Sequence, residues 1–237
     1  VSRISHRVKN TVSINQLSRG IRLLREIGSW AFQGKGALTF GITSAMVFSR
    51  SREGLSSPDI QLLFTPASYS QKTHGELEKE GGMTVVVCPV RPSSRGTIMA
   101  ESSDALIRPL IRPNYLSDPD DIRVMIAGLR QAREILAQPA FKPFSVEETV
   151  PGRMLQSDDE LEKFARDNGS IIYHPVSTCK MGEDPMAVVD SRLRVHGIEG
   201  LRVVDASIMP TVTTGNTNAP TIMIAEKASD MILEDAK

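Results

Sequence analysis

Strand-like segments follow one another in this chain where an alternating fold would need a helix between them. Residues 59–64 place Ile60, Leu62 and Phe64 on one face, the period of a strand. Residues 83–88 form a continuous apolar, β-branched run closed by Pro89, which reads as a buried strand. Residues 96–100 and 110–112 are shorter candidates, separated by the Ser102-Ser103-Asp104 turn. The strongest helix signal spans 118–137. Asp118 can cap it, Pro119 suits its first position, and Asp120 and Asp121 favour the positive end of its dipole. Ile122, Met125, Ile126, Leu129 and Leu136 hold one face. Ser157 and Glu160 form a capping box opening a second helix through Leu161, Phe164 and Ala165, which stops at Asn168-Gly169. Ile21, Leu24 and Ala31, with Leu23, Ile27 and Trp30, give an earlier helical spacing ending at Gly34-Lys35-Gly36. Several strands with inserted helices and no regular alternation give an α+β fold, not a doubly wound sheet.

Composition excludes several partners. The 237 residues carry 28 Lys+Arg against 28 Asp+Glu, so no basic excess serves nucleic acid or anionic lipid. Two cysteines, Cys88 and Cys179, rule out a disulfide framework and suit a reducing, cytoplasmic setting. No apolar run approaches the ~20 residues of a membrane span. The chain opens Val1-Ser2-Arg3 without a signal-peptide pattern, and any targeting segment would lie upstream.

Familiar nucleotide and nucleophile motifs are missing. Gly28 to Gly34-Lys35 misses the spacing of a phosphate-binding loop, and Gly36 stands where a hydroxyl residue belongs. Neither a G-x-G-x-x-G fingerprint nor a G-x-S-x-G elbow occurs. His6, His74, His174 and His196 are too dispersed for a local metal motif.

Two segments carry chemistry. The first, 173–182, follows Ile171 and Ile172, which read as a short strand, so His174 falls at a strand end before Pro175. An imidazole held beside small and hydroxyl residues suits a general base. A satisfied structural histidine is the commoner local alternative. The second segment, 201–221, feeds a helical tail in which Ile222, Ala225 or Glu226, Ser229 and Ile232 trace one side. Pro220 and Thr221 then sit in the first helical turn, whose backbone N–H groups can stabilise a developing anion. Asn218 fits equally well as a plain N-cap. Cys179 reads as a packed free thiol, Cys88 as the end of a buried strand and His196 as a turn residue. His6 and His74 fall in polar, exposed stretches, and Met209, Met223 and Met231 read as core filling.

The runs H-P-x-x-T-C-x-M-G, L-R-V-V-D-A-S-x-M-P and G-N-T-N-A-P-T-I-M-I-A-E-K together resemble the C-terminal portion of one family. It is the glucose–methanol–choline (GMC) family of flavin-dependent oxidoreductases, and the likeness is nearest to its bacterial choline- and alcohol-dehydrogenase-like members. Weaker similarity at 34–38, 95–96 and 113–119 extends it over essentially the whole chain. The resemblance implies an FAD-binding domain joined to a substrate domain of antiparallel sheet and flanking helices. The family's dinucleotide glycine motif has no counterpart here. The chain is therefore expected to be a C-terminal fragment, inactive alone, in which 1–200 form most of the substrate domain. Residues 201–237 would be a strand and helix returning to the FAD domain.

By the same resemblance, His174 matches the active-site histidine and Asn218 its partner position. Asp205 and Ala206 match the segment beside the ribityl and diphosphate groups. Thr217, Asn218, Pro220 and Thr221 are implied as further cofactor-binding residues, with the helix starting near Pro220 facing the flavin's pyrimidine end. The implied activity is FAD-dependent oxidation of an alcohol to an aldehyde, with a quinone or other electron acceptor. An oxidase using oxygen, a hydroxynitrile-lyase-like enzyme and an inactive fragment remain as alternatives. Aromatic residues are only 5% of the chain, which tilts the substrate towards a neutral primary alcohol rather than a caged ammonium.

Overall fold

The β-branched run at the heart of the sequence becomes the central strand of a five-stranded sheet in the computed structural model. Every residue is described except Phe40, Lys72, His74 and Lys237, so the exposure expected of His74 lies outside the described residues. The sheet comprises β1 (Ser2–Val8), β2 (Ala45–Ser49), β3 (Ile60–Thr65), β4 (Gly82–Pro89) and β7 (Ser145–Val150). Its order is β2-β3-β4-β1-β7, antiparallel at every pairing. Val87 of β4 stands opposite Ser2 on one side and Leu62 on the other. Flanked in this way, β4 buries polar Thr84 along with its apolar residues. The Thr84 hydroxyl donates to the Ala67 carbonyl at 2.7 Å and meets the Ser5 hydroxyl at 2.9 Å, so burial leaves no unmet donor there.

Helix α3 (Pro119–Leu136) packs on this sheet through a close approach at Gly128. A Cβ at that position would lie 2.4 Å from Val87 Cγ1. Farther along α3, Gln131 accepts from the Ser49 hydroxyl at the end of β2, while Arg133 grips Glu148 of β7 with two hydrogen bonds of 3.0 and 2.8 Å. The cap forms as expected, Asp118 accepting from Asp120 N at 2.8 Å. Helix α4 (Asp158–Asn168) has its capping box and buries Leu161, Phe164 and Ala165.

By contacts, Val1–Pro89 with Ile122–Ser170 make one compact unit, and Val90–Asp121 with Ile171–Lys237 make another. Within the first, α1 (Ile14–Leu17) precedes α2 (Gly20–Gln33). The α2 helix ends where its spacing predicts, with Gly34 left-handed at φ 62°. None of its residues is buried, and Leu24 and Phe32 are 68% and 89% exposed. Its polar side faces its own chain, Glu26 accepting from Ala37 N. His6 is the opposite case. Expected at the surface, it is buried, because β1 is an interior strand between β4 and β7. Its Nδ1 meets the Ser145 hydroxyl at 2.7 Å, while Nε2 has no hydrogen-bond partner.

The second unit contains a hairpin of β5 (Thr97–Met99) and β6 (Leu110–Arg112), and helix α5 (Asn218–Asp235). Its core joins Val189, Leu193, Ile208 and Met209 to Ile224 and Ala228 of α5. Two expected strands do not form. Ile171 and Ile172 are irregular, and the 201–204 segment contributes one bridge, Arg194 to Arg202. That stretch bonds turn to turn instead, Val203 N to Leu193 O and Val195 N to Leu201 O. The side of α5 traced by Ile222 and Ile232 is exposed, and so is Met223, expected in the core. The buried stripe runs through Ile224 and Ala228. At the far end of α5, Arg192 donates to the Met231 carbonyl and pairs with Glu234 and Asp235, where the helix dipole favours a cation. Among the described residues, no helix is long and apolar enough to cross a membrane.

Candidate active site

His174 lies in an irregular segment between two residues of left-handed backbone, Tyr173 at φ 59° and Ser177 at φ 74°. Neither is glycine, and such strain persists only where surrounding contacts enforce it. Those contacts are explicit. The Ser177 hydroxyl donates to Met209 O at 2.7 Å, Cys179 N to Ser207 O, and Met181 N to Ile208 O at 2.8 Å. Half-buried Val176 and Met181 pack on the Ile208–Met209–Ile224 core. The histidine loop and α5 therefore rest on one apolar cluster.

From the α5 side, Gly215 takes φ 130°, a conformation side chains disfavour, and the chain turns to present two residues to the imidazole. Asn216 Nδ2 is 2.8 Å from His174 Nε2, and Thr217 Oγ1 is 2.9 Å from Nδ1. An amide nitrogen only donates. With Asn216 oriented this way, Nε2 is the acceptor, and the neutral ring carries its proton on Nδ1, which donates to Thr217. Thr217 is buried and is the N-cap residue of α5, yet its hydroxyl makes no cap hydrogen bond. Its carbonyl is pinned by Thr221, whose N–H and hydroxyl both donate to it, at 3.0 and 2.7 Å.

Of the residues singled out in the sequence, His174 and Thr217 meet directly. Asn218 is the first residue of α5 and is exposed. The hydrogen bond to Nε2 comes from Asn216, which the motif contained but sequence reasoning did not select. Both asparagines are short amides two positions apart, and only the turn at Gly215 determines which one reaches the ring. Asp205 caps the 3-10 turn Ala206–Ile208 by accepting from Ser207 N at 2.8 Å. Ala206 packs against the core cluster. Pro220 and Thr221 do stand in the first turn of α5. Both cysteines are free, and burial pushes the Cys88 thiol up to about 11, far from a reactive thiolate. His196 sits in a turn with Nε2 on the Gly182 carbonyl at 3.0 Å.

A family profile described as GMC oxidoreductase matches residues 92–225. The chain belongs to the GMC oxidoreductase family. Among curated GMC relatives, an alcohol dehydrogenase [acceptor] of Pseudomonas putida is 45% identical over 86% of this chain and 37% of its own length. An oxygen-dependent choline dehydrogenase of Yersinia pseudotuberculosis is 46% identical over 86% of this chain and 36% of its own. The chain thus spans little more than a third of the length of these relatives. Formate oxidase of Aspergillus oryzae shares the fold, with a TM-score of 0.88 at 24% identity over 99% of this chain and 46% of that one. A fungal aryl-alcohol oxidase gives a TM-score of 0.64 at 31% identity over 76% of this chain and 28% of that one.

Proposed function

We propose that this chain is the substrate-side portion of an FAD-dependent enzyme that oxidises an alcohol to an aldehyde, with His174 as the proton acceptor. Residues 1–200 would form most of the substrate domain and 201–237 the segment returning to the flavin domain. The observation that carries the reading is the placement of the His174 ring, with Nε2 2.8 Å from the Asn216 amide nitrogen and Nδ1 2.9 Å from the Thr217 hydroxyl. The relatives' names, an alcohol and a choline dehydrogenase, support the substrate class.

The residues present fit part of a flavin site. The first N–H groups of α5 carry no side-chain cap, and Pro220 offers none, so Asn218 and Ala219 present backbone donors at a positive dipole end. That donor set suits an anionic ring edge. Among the described residues both sheets are antiparallel, without the parallel strand–helix unit that cradles a dinucleotide. Asn218, Pro220 and Thr221 would then line the pyrimidine end, with Asp205 and Ala206 nearer the ribityl and diphosphate. When bound, the flavin supplies the hydride acceptor.

His174 accepts the substrate hydroxyl proton at Nε2 once the alcohol replaces the Asn216 amide there. Asn216, released by that exchange, donates to the developing alkoxide and holds its oxygen in place. Thus the partner role read for Asn218 fits Asn216 better, and Asn218 serves through its backbone. The acceptor for the electrons would be a quinone or similar oxidant. A second reading, oxygen as acceptor, takes its support from the oxygen-dependent Yersinia relative. Reoxidation by oxygen against an artificial acceptor separates the two.

The test is anaerobic flavin reduction by a primary alcohol in the flavin-loaded protein. His174→Ala should retain flavin and lose reduction by about 10²-fold or more, the scale of positioned acid–base catalysis. Near wild-type bleaching in that variant would remove His174 from the mechanism.

A further inference from the structure

Thr217 breaks a local rule. Threonine is favoured at helix N-caps because its oxygen accepts from a free N–H of the first turn. Thr217 occupies that position in α5 with its hydroxyl turned away to the His174 ring, 2.9 Å from Nδ1. The residue is only 6% exposed, so its hydroxyl needs a protein partner, and the imidazole is that partner. Nothing about its placement is loose. Thr221 holds its carbonyl with two hydrogen bonds, and β-branching leaves few side-chain rotamers.

We propose that Thr217 is a positioning residue that fixes the tautomer of His174. With the Asn216 amide donating to Nε2, the Thr217 oxygen is the acceptor for the Nδ1 proton, and the two contacts together keep the lone pair on Nε2. Without that acceptor, the Nδ1–H form leaves its donor unmet, so the balance moves towards the proton on Nε2, and the basic nitrogen then points away from substrate. The helix gives up a side-chain cap so that the ring is oriented before substrate arrives. A valine here would fill the same space and leave α5 no worse capped. The hydroxyl is therefore explained by the histidine, not by the helix.

The proposal rests on His174 being the proton acceptor, and the experiment separates the two claims. Protein labelled with 15N-histidine reports the tautomer directly through its ring-nitrogen shifts, and loss of a signal in His174→Gln assigns the residue. The wild-type ring should show the Nδ1–H form. Thr217→Val should shift it towards Nε2–H, and Thr217→Ser should restore it. In the flavin-loaded protein, Thr217→Val should slow flavin reduction roughly 10- to 100-fold, the range seen when the group orienting a metal-bound imidazole is removed. KM should be little changed, and Thr217→Ser should recover most of the rate. If Thr217→Val lowers the melting temperature but leaves the tautomer in place, the residue is structural and the proposal is overturned. A tautomer that shifts while His174→Ala still reduces flavin normally would uphold the positioning and sink only the proton-acceptor reading.

Discussion

Two histidines of this chain make opposite use of a hydroxyl neighbour. His174 is half-buried, with both ring nitrogens engaged by Thr217 and Asn216. If the Nε2 contact marks the alkoxide position, Asn216→Ala should slow flavin reduction by about 10²-fold, the loss of one oxyanion donor. Asn218→Ala should change the rate far less, and stopped-flow reduction of the two variants side by side decides between the registers. His174 was singled out by the resemblance of its run to GMC sequences, since on local grounds alone a structural histidine was the commoner reading. Its partner was not legible, because choosing between two asparagines depends on the φ 130° turn at Gly215. His6 lies buried beside Ser145, with Nε2 4.0 Å from Glu148. Burial holds its pKa below the ordinary 6.5; Glu148 opposes this, while Arg153 and Arg133 reinforce it. The unfolded chain therefore binds the proton more readily, and stability should fall as pH drops below about 6.5. Urea midpoints at pH 7.5 and 5.5 should separate more for the wild type than for His6→Gln. Equal separations would mean that His6 does not contribute.

At the level of elements, the sequence signals that held were local ones. The capping box of α4, the Asp118 cap of α3 and the Gly34 stop of α2 each involve residues within one or two turns of one another. β3 was legible through the alternation of Ile60, Leu62 and Phe64, and β4 through its continuous β-branched run. β1, β2 and β7 were not, since Ser2, Ser5 and His6 in β1 are polar side chains whose burial comes from neighbours distant in sequence. The strand expected at 201–204 fails for a related reason: its β-branched residues find only turns to pair with. Gly128 in α3 is another tertiary effect that helix propensity misjudges. Alanine would favour the helix by about 1 kcal/mol, but its Cβ would press on Val87 at 2.4 Å. Overpacking of that kind costs about 1–3 kcal/mol. Gly128→Ala should therefore lower the unfolding midpoint, and adding Val87→Ala should recover part of the loss. A stabilised Gly128→Ala would mean that the sheet yields freely at Val87.

Across the molecule, apolar surface is unevenly satisfied. The sheet interior and the α5 core are closed, whereas α2 exposes Ile21, Leu24, Trp30 and Phe32, and β2 exposes Met46 and Phe48. Each large apolar side chain left in water forgoes about 1.5–3 kcal/mol of burial free energy. Several such residues on one amphipathic helix are apolar surface of the kind that soluble chains hide or use. The polar side of α2 is already held by Glu26 and the Ala37 N–H, so the helix cannot hide that patch by rolling without breaking this contact. The 237-residue chain in isolation should therefore self-associate with increasing concentration. Leu24→Glu with Phe32→Glu should reduce that association, because a carboxylate pair is costly to bury between copies. Both positions are largely exposed at 68% and 89%, so the melting temperature of the dilute chain should change little. Sedimentation velocity across a tenfold concentration range measures the first expectation, and a thermal melt the second. Association that persists undiminished in the double variant would place the sticky surface elsewhere, and a large drop in melting temperature would mean that α2 packs more closely than its exposure indicates.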